Sequence, residues 1–176
     1  PKEEVDALMS LLVKAVHNEL DKLKKNNVRL KAIGDLTALP ENCYEELQYA
    51  LSETAENNGL TVVLALSYSG RSELEYSFRQ IAKKIQSGQL KLENISAQTI
   101  SEHLYDSTLP DPDVLIRTGG ECRVSNFLLW QIAYSEMFFL PIMWPDFQKD
   151  DLWKVICDFQ SRERRFGKTG EQVRSH

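Results

Sequence analysis

The sequence predicts an α/β fold, a mostly parallel sheet flanked by helices. Three observations carry that expectation. Apolar residues recur at helical spacing over long stretches, and short apolar or alternating runs stand between those stretches. The predicted helices are also long enough to carry the chain from one parallel strand to the next.

The elements follow in order. Val5, Leu8, Leu12, Val16, Leu20 and Leu23 recur at helical steps, so the first helix should run over residues 2–25. Pro1 and two glutamates suit its start, and Lys22, Lys24 and Lys25 suit its end. Residues 28–33 alternate and read as a strand closing at Gly34. A second helix is expected over 40–57, with Gly59 just past it. Residues 60–66 form a continuous apolar run, the pattern of a strand buried on both faces.

SYSGRSEL then turns into a third helix over 71–86, stopped near Gly88, and a shorter helix should start at Ser96. A strand over 113–117, a helix over 125–133, a strand around 137–140 and a last helix over 148–164 complete the series. Residues 1–167 are expected to form a single α/β domain, and residues 168–176 a polar tail.

Composition narrows the class. The chain has 176 residues, is 42% hydrophobic and 27% charged, and carries a formal net charge of -5. That charge argues against general nucleic-acid affinity, so a phosphate ligand would need a local basic cluster. Cys43, Cys122 and Cys157 are widely spaced and form no CxxC, as expected of a reducing compartment without structural zinc. No apolar run reaches the roughly 18 residues of a membrane span, and no secretory signal opens the sequence. The plain expectation is a cytoplasmic protein.

The residues that invite chemistry lie mostly in 113–147. Arg117 ends a strand, Gly119 and Gly120 form a turn, and Arg123, Val124 and Ser125 follow, with Ser125 placed to cap the next helix. A strand end, a basic glycine turn and a helix N-terminus together favour an anion, and two guanidiniums could hold a diphosphate. The alternative is that Arg117 pairs with Asp113 or Glu121 and that Ser125 is only a cap.

Ser67-Tyr-Ser-Gly-Arg71 repeats the design and could be a second anion-binding turn or a plain strand-to-helix turn. Glu136, at the edge of an apolar run, should be solvated, paired or bound to metal. Beside a diphosphate, Mg²⁺ is the natural partner, because it takes one or two carboxylates plus phosphate oxygens. Asp146 reads as a helix cap or turn residue. His17, His103 and His176 read as surface residues, and no nucleophile elbow or Walker lysine is present.

LIRTGGECRVSNFLLWQIAYSEMFF, WPDF and RERRFG resemble the C-terminal signatures of the cis-prenyltransferase family, its bacterial undecaprenyl diphosphate synthase branch in particular. PKEEV resembles the end of that family's ENWxRPxxEV segment, and GLTVVLALSYSGR its NYGGR turn, so the similarity runs along essentially the whole chain. The resemblance implies repeated condensation of isopentenyl diphosphate with an allylic diphosphate such as farnesyl diphosphate, making a lipid-carrier precursor for cell-wall synthesis. Arg117, Arg123 and Ser125 would hold isopentenyl diphosphate, and Glu136 would help bind Mg²⁺. Leu60 would lie towards the closed end of the product tunnel, and Arg162 to Gly167 near the active site or dimer interface. A homodimer and peripheral contact with the inner membrane face are implied as well.

The chain departs from the family in two ways. NYGGR reads SYSGR here, which keeps Arg71 and changes its surroundings. The family's first strands and its MDGNGRWA loop are not in these residues, so catalytic groups are expected upstream of Pro1. By that reading the sequence is the C-terminal portion of the enzyme, inactive alone. The competing class is a non-catalytic prenyltransferase-like subunit, which is expected to lose the arginines that this chain keeps.

Overall fold

The computed structural model describes residues 2–163, which fall into two compact units divided after Ser107. In the first unit, α1 (Lys2–Lys25) leads into β1 (Arg29–Ile33), α2 (Glu41–Glu53), β2 (Thr61–Ala65), α3 (Gly70–Gln86) and the short α4 (Ala97–Ser101). β1 and β2 pair in parallel, Arg29 opposite Thr61 and Ile33 opposite Ala65. This is a βαβ unit with α2 as its crossover. Val16 and Leu20 of α1, Leu30 of β1 and Ala50 of α2 form the buried cluster, with Val62 and Leu64 packed against it.

Strand β2 differs from the expectation of burial on both faces. Val62 and Leu64 turn to the α1–α2 cluster, while Thr61 and Ala65, at odd positions on the opposite face, are exposed. Leu60, just ahead of the strand, is 69% exposed. One face of β2 is core and the other is only partly covered.

Thr54 links helix and strand. Completely buried at the end of α2, its hydroxyl donates to the Ala50 carbonyl (2.9 Å) and accepts from the Leu30 N–H (3.1 Å). The Arg29 N–H goes the other way, to the Leu60 carbonyl of the β2 side. Leu30 therefore points its N–H to the outer edge of β1, where Thr54 satisfies it.

Gly34 closes β1 at φ 117°, and a methyl group there would lie 2.0 Å from the Leu66 carbonyl oxygen and 3.2 Å from Cβ of Tyr68. The ends of β1 and β2 can come this close only without a side chain at position 34. Ser96 caps α4 in a reciprocal box with Thr99, as the predicted start at Ser96 requires.

The second unit, described by itself, holds β3 (Val114–Arg117) and β4 (Glu136–Phe139), again parallel, followed by α5 (Lys149–Ser161). Val114 pairs with Glu136 and Arg117 with Phe139. Leu115, Ile132, Phe138 and Val155 are buried. The helix expected over 125–133 is not formed. Ser125, Asn126 and Leu128 have φ of 49°, 64° and 46°, and only a 3₁₀ turn, Gln131–Tyr134, follows. Three left-handed residues in four cannot propagate a right-handed helix.

Asp146 sits in a 3₁₀ turn, Trp144–Asp146, and α5 is instead capped by Gln148 with Asp151. His103 is half-buried rather than superficial, its Nδ1 2.7 Å from the Thr99 carbonyl oxygen. Arg164 to Gly167, the tail 168–176 and His176 lie outside the described residues.

Candidate functional site

In the second unit the site grows from the end of β3. Arg117 is its last residue, and one guanidinium nitrogen donates to both the Arg123 carbonyl oxygen (2.6 Å) and the Ser125 hydroxyl (2.8 Å). The structure thus brings Arg117 to the Arg123 backbone carbonyl and to Ser125, by a device the sequence did not suggest. Ser125 caps no helix here and instead buttresses Arg117. Neither acid expected as an alternative partner takes that nitrogen; Glu121 pairs with Arg123.

The two glycines also play a different part. The N–H of Gly119 donates to the Ile142 carbonyl and that of Gly120 to the Leu140 carbonyl, at 2.7 and 2.9 Å. Both have positive φ, 87° and 73°, and they tie the turn to the strand exit after β4. Those two amides are engaged within the chain and are not offered to an anion. Arg117, Arg123, Val124 and Phe127, with Leu115 and Ile116, line a hollow of about 250 Å³. Two guanidiniums over an apolar floor suit a ligand with a diphosphate head and a hydrocarbon body.

Glu136 opens β4 and is ion-paired with Arg162, Oε2 to Nη1 at 2.6 Å. The Arg162 guanidinium also lies 4.1 Å from the centre of the Phe138 ring. Among the described residues, no three His, Cys, Asp or Glu side chains gather as a metal site. Glu136 is therefore a single hard-oxygen donor. That fits Mg²⁺ only where substrate phosphates supply further ligands, which is how this ion is often held.

In the first unit Ser69 caps α3 by accepting the Ser72 N–H, and exposed Arg71 lies in the first turn. Arg71, Leu74, Glu75, Phe78, Arg79 and Ala82 line an open trough of about 500 Å³. Their spacing is that of one helix face. Phe78 is 55% exposed there, so the face presents apolar surface between two arginines. Leu60 lines neither of these two hollows.

Sequence reasoning missed Glu73, which is 2% exposed beneath the same turn. In SELEY it resembles Glu75, whose side chain is 63% exposed, and only the packing separates them.

Comparison with known proteins gives the family. A family model described as "Putative undecaprenyl diphosphate synthase" matches residues 1–167. The chain belongs to this prenyltransferase family. An isoprenyl transferase of Porphyromonas gingivalis is 53% identical over 173 residues, covering 98% of this chain and 68% of that protein. A farnesyl-diphosphate-specific ditrans,polycis-undecaprenyl-diphosphate synthase of Vibrio parahaemolyticus is 43% identical over 99% of this chain and 70% of its own length. Among solved structures, lavandulyl diphosphate synthase from Lavandula x intermedia, in complex with dimethylallyl diphosphate, superposes with a TM-score of 0.92. It shares 34% identity over 96% of this chain and 73% of that one. This prenyltransferase chain thus spans about two thirds of the relatives it matches.

Proposed function

We propose that this prenyltransferase joins isopentenyl diphosphate to an allylic diphosphate, of the farnesyl type, and repeats the step to build a long-chain cis-polyprenyl diphosphate. In each cycle the allylic C–O bond breaks, diphosphate leaves, a C–C bond forms and the isopentenyl unit loses a proton. The observation that carries the reading is Arg117, held at the end of β3 by the Arg123 carbonyl and Ser125 above a partly apolar hollow. A pre-positioned guanidinium costs little further ordering when a diphosphate arrives.

Arg117, Arg123 and Ser125 are assigned to the isopentenyl diphosphate, with Val124 and the Gly119–Gly120 turn shaping the hollow. Arg71 is assigned as a further diphosphate contact. Mg²⁺, when bound, would neutralise diphosphate charge, and Glu136 is the described residue that would hold it. There Mg²⁺ would compete with Arg162, which holds Oε2. Leu60 as a tunnel residue rests on the resemblance alone. A lipid product, growing against apolar surface, fits a cytoplasmic enzyme with peripheral membrane contact, and no described helix is long and apolar enough to cross a membrane. A homodimer rests on the resemblance alone.

The test is chain elongation from labelled isopentenyl diphosphate and farnesyl diphosphate by the full-length gene product, with product length read by chromatography. Retained binding of isopentenyl diphosphate without any elongation would favour a non-catalytic prenyltransferase-like subunit. We expect the 176-residue polypeptide alone to bind weakly and not turn over, because its relatives use about half as many residues again. Elongation by that polypeptide would refute this.

A further inference from the structure

Asn58–Gly59 is the sole Asn-Gly pair in the chain, and both residues are exposed in the turn between α2 and β2. Such a pair is chemically labile, because a glycine has no side chain to shield its backbone nitrogen. That nitrogen can attack Cγ of the asparagine. A C–N bond forms, the Cγ–Nδ2 bond breaks, and ammonia leaves with the Gly59 proton. Water then opens the cyclic imide at either carbonyl, giving aspartate or isoaspartate at position 58.

Packing requires this glycine. A methyl group at position 59 would lie 2.5 Å from the Asn27 carbonyl oxygen. The same oxygen accepts the Gly59 N–H at 3.0 Å. The entries of β1 and β2 therefore leave no room for a bulkier residue that would slow the chemistry.

The structure instead engages both reacting groups. Asn27, left-handed at φ 56°, spans Asn58 with its side-chain amide. Its Nδ2 donates to Asn58 Oδ1 (2.7 Å), and its Oδ1 accepts the Asn58 N–H (3.0 Å). This ties the Asn58 side chain back to its own N–H, whereas cyclisation needs it folded forward onto the next peptide nitrogen. Asn57 fastens the other flank. Its Nδ2 donates to the Val28 carbonyl and its carbonyl accepts from Arg29 Nε, both at 2.7 Å. Ring closure must break the Asn27 contacts, and each such bond contributes about 1 kcal/mol.

We infer that Asn58 is a deamidation site, which Asn27 protects for as long as the entries of β1 and β2 stay fastened. Deamidation puts a negative charge on the turn, and isoaspartate also adds a backbone carbon shortly before Leu60. The Leu60 carbonyl accepts the Arg29 N–H, so the modified turn no longer matches the start of the β1–β2 ladder.

The test incubates the full-length gene product at mildly alkaline pH, folded and in denaturant, and follows position 58 by peptide mapping with mass spectrometry. Folded Asn27→Gly and Asn27→Asp variants run alongside. The folded wild-type protein should deamidate there at least about tenfold more slowly than the unfolded chain. Asn27→Gly accepts the left-handed backbone and removes the amide, while Asn27→Asp keeps an acceptor for the Asn58 N–H and removes the Nδ2 donor. Each should raise the folded-state rate about fivefold or more. Equal rates in folded and unfolded wild-type protein would overturn the inference even if neither variant folds. An unchanged folded-state rate in both variants would overturn the protective role of Asn27. No deamidation at position 58 in denaturant would remove the site altogether.

Discussion

Arg162 closes on Glu136 while its guanidinium lies against the Phe138 ring, so the carboxylate assigned to Mg²⁺ already holds a cation. The pair is partly exposed, at 40% and 26%, and solvent screening limits such a contact to about 1 kcal/mol or less. Metal binding competes with it for the same carboxylate. Arg162→Ala should therefore lower the Mg²⁺ concentration giving half-maximal turnover, by up to about fivefold. An unchanged or higher requirement would show that the contact and the metal do not compete.

Arg117→Ala removes a charge-assisted donor from the hollow beside β3. Such bonds are worth about 1.5–3 kcal/mol, so KM for isopentenyl diphosphate should rise about 10- to 100-fold. KM for the allylic diphosphate should change much less. Equal effects on both substrates would refute the assignment of this turn.

Gly34 and Gly88 offer a matched pair for stability. Both have positive φ, but a methyl at Gly34 strikes the Leu66 carbonyl whereas nothing lies within 4 Å at Gly88. Gly34→Ala should cost about 3 kcal/mol or more, and Gly88→Ala about 1 kcal/mol from backbone strain alone. Denaturant unfolding of the two variants measures the difference; similar losses would mean the close approach at Gly34 relaxes freely.

Alkaline pH should weaken the fold. Burial pushes the Cys43 thiol up, and burial followed by the nearby Asp35 and Glu73 pushes the Tyr105 phenol up. Both groups are neutral below their ordinary values, and there their contribution is fully present. As pH rises past those values towards the raised folded ones, the unfolded chain ionises first and stability is lost. The melting temperature should decline from about pH 9 upward, the thiol acting before the phenol. A flat profile through pH 11 contradicts this. In the native protein Cys122 and Cys157, which are exposed, should alkylate well before Cys43.

Much of this was legible in the sequence because periodicity reports burial directly. The apolar steps of α1 delimit Lys2–Lys25, and Ser96 announces α4 through its hydroxyl. Arg117 could be placed at a strand end because Val114, Leu115 and Ile116 precede it. SNFLLWQIA could not be read correctly, since its apolar spacing mimics a helix while left-handed backbone at Ser125, Asn126 and Leu128 breaks one. The partners of Gly119 and Gly120 lie beyond β4, too remote for local pattern to reveal. Glu73 was invisible because a buried and a solvated acid have the same letter.

Thr54 gives the first unit a direction of growth. Its hydroxyl occupies the ladder position that a neighbouring strand would use on the outer side of β1, so that edge is blunted by a side chain. Any strand recruited by this pair, whether from the same polypeptide, a partner or a misfolded copy, is steered to the far side of β2. Aggregates seeded by this unit should therefore be templated on β2, and a proline introduced there should suppress them where the same change outside β1 would not.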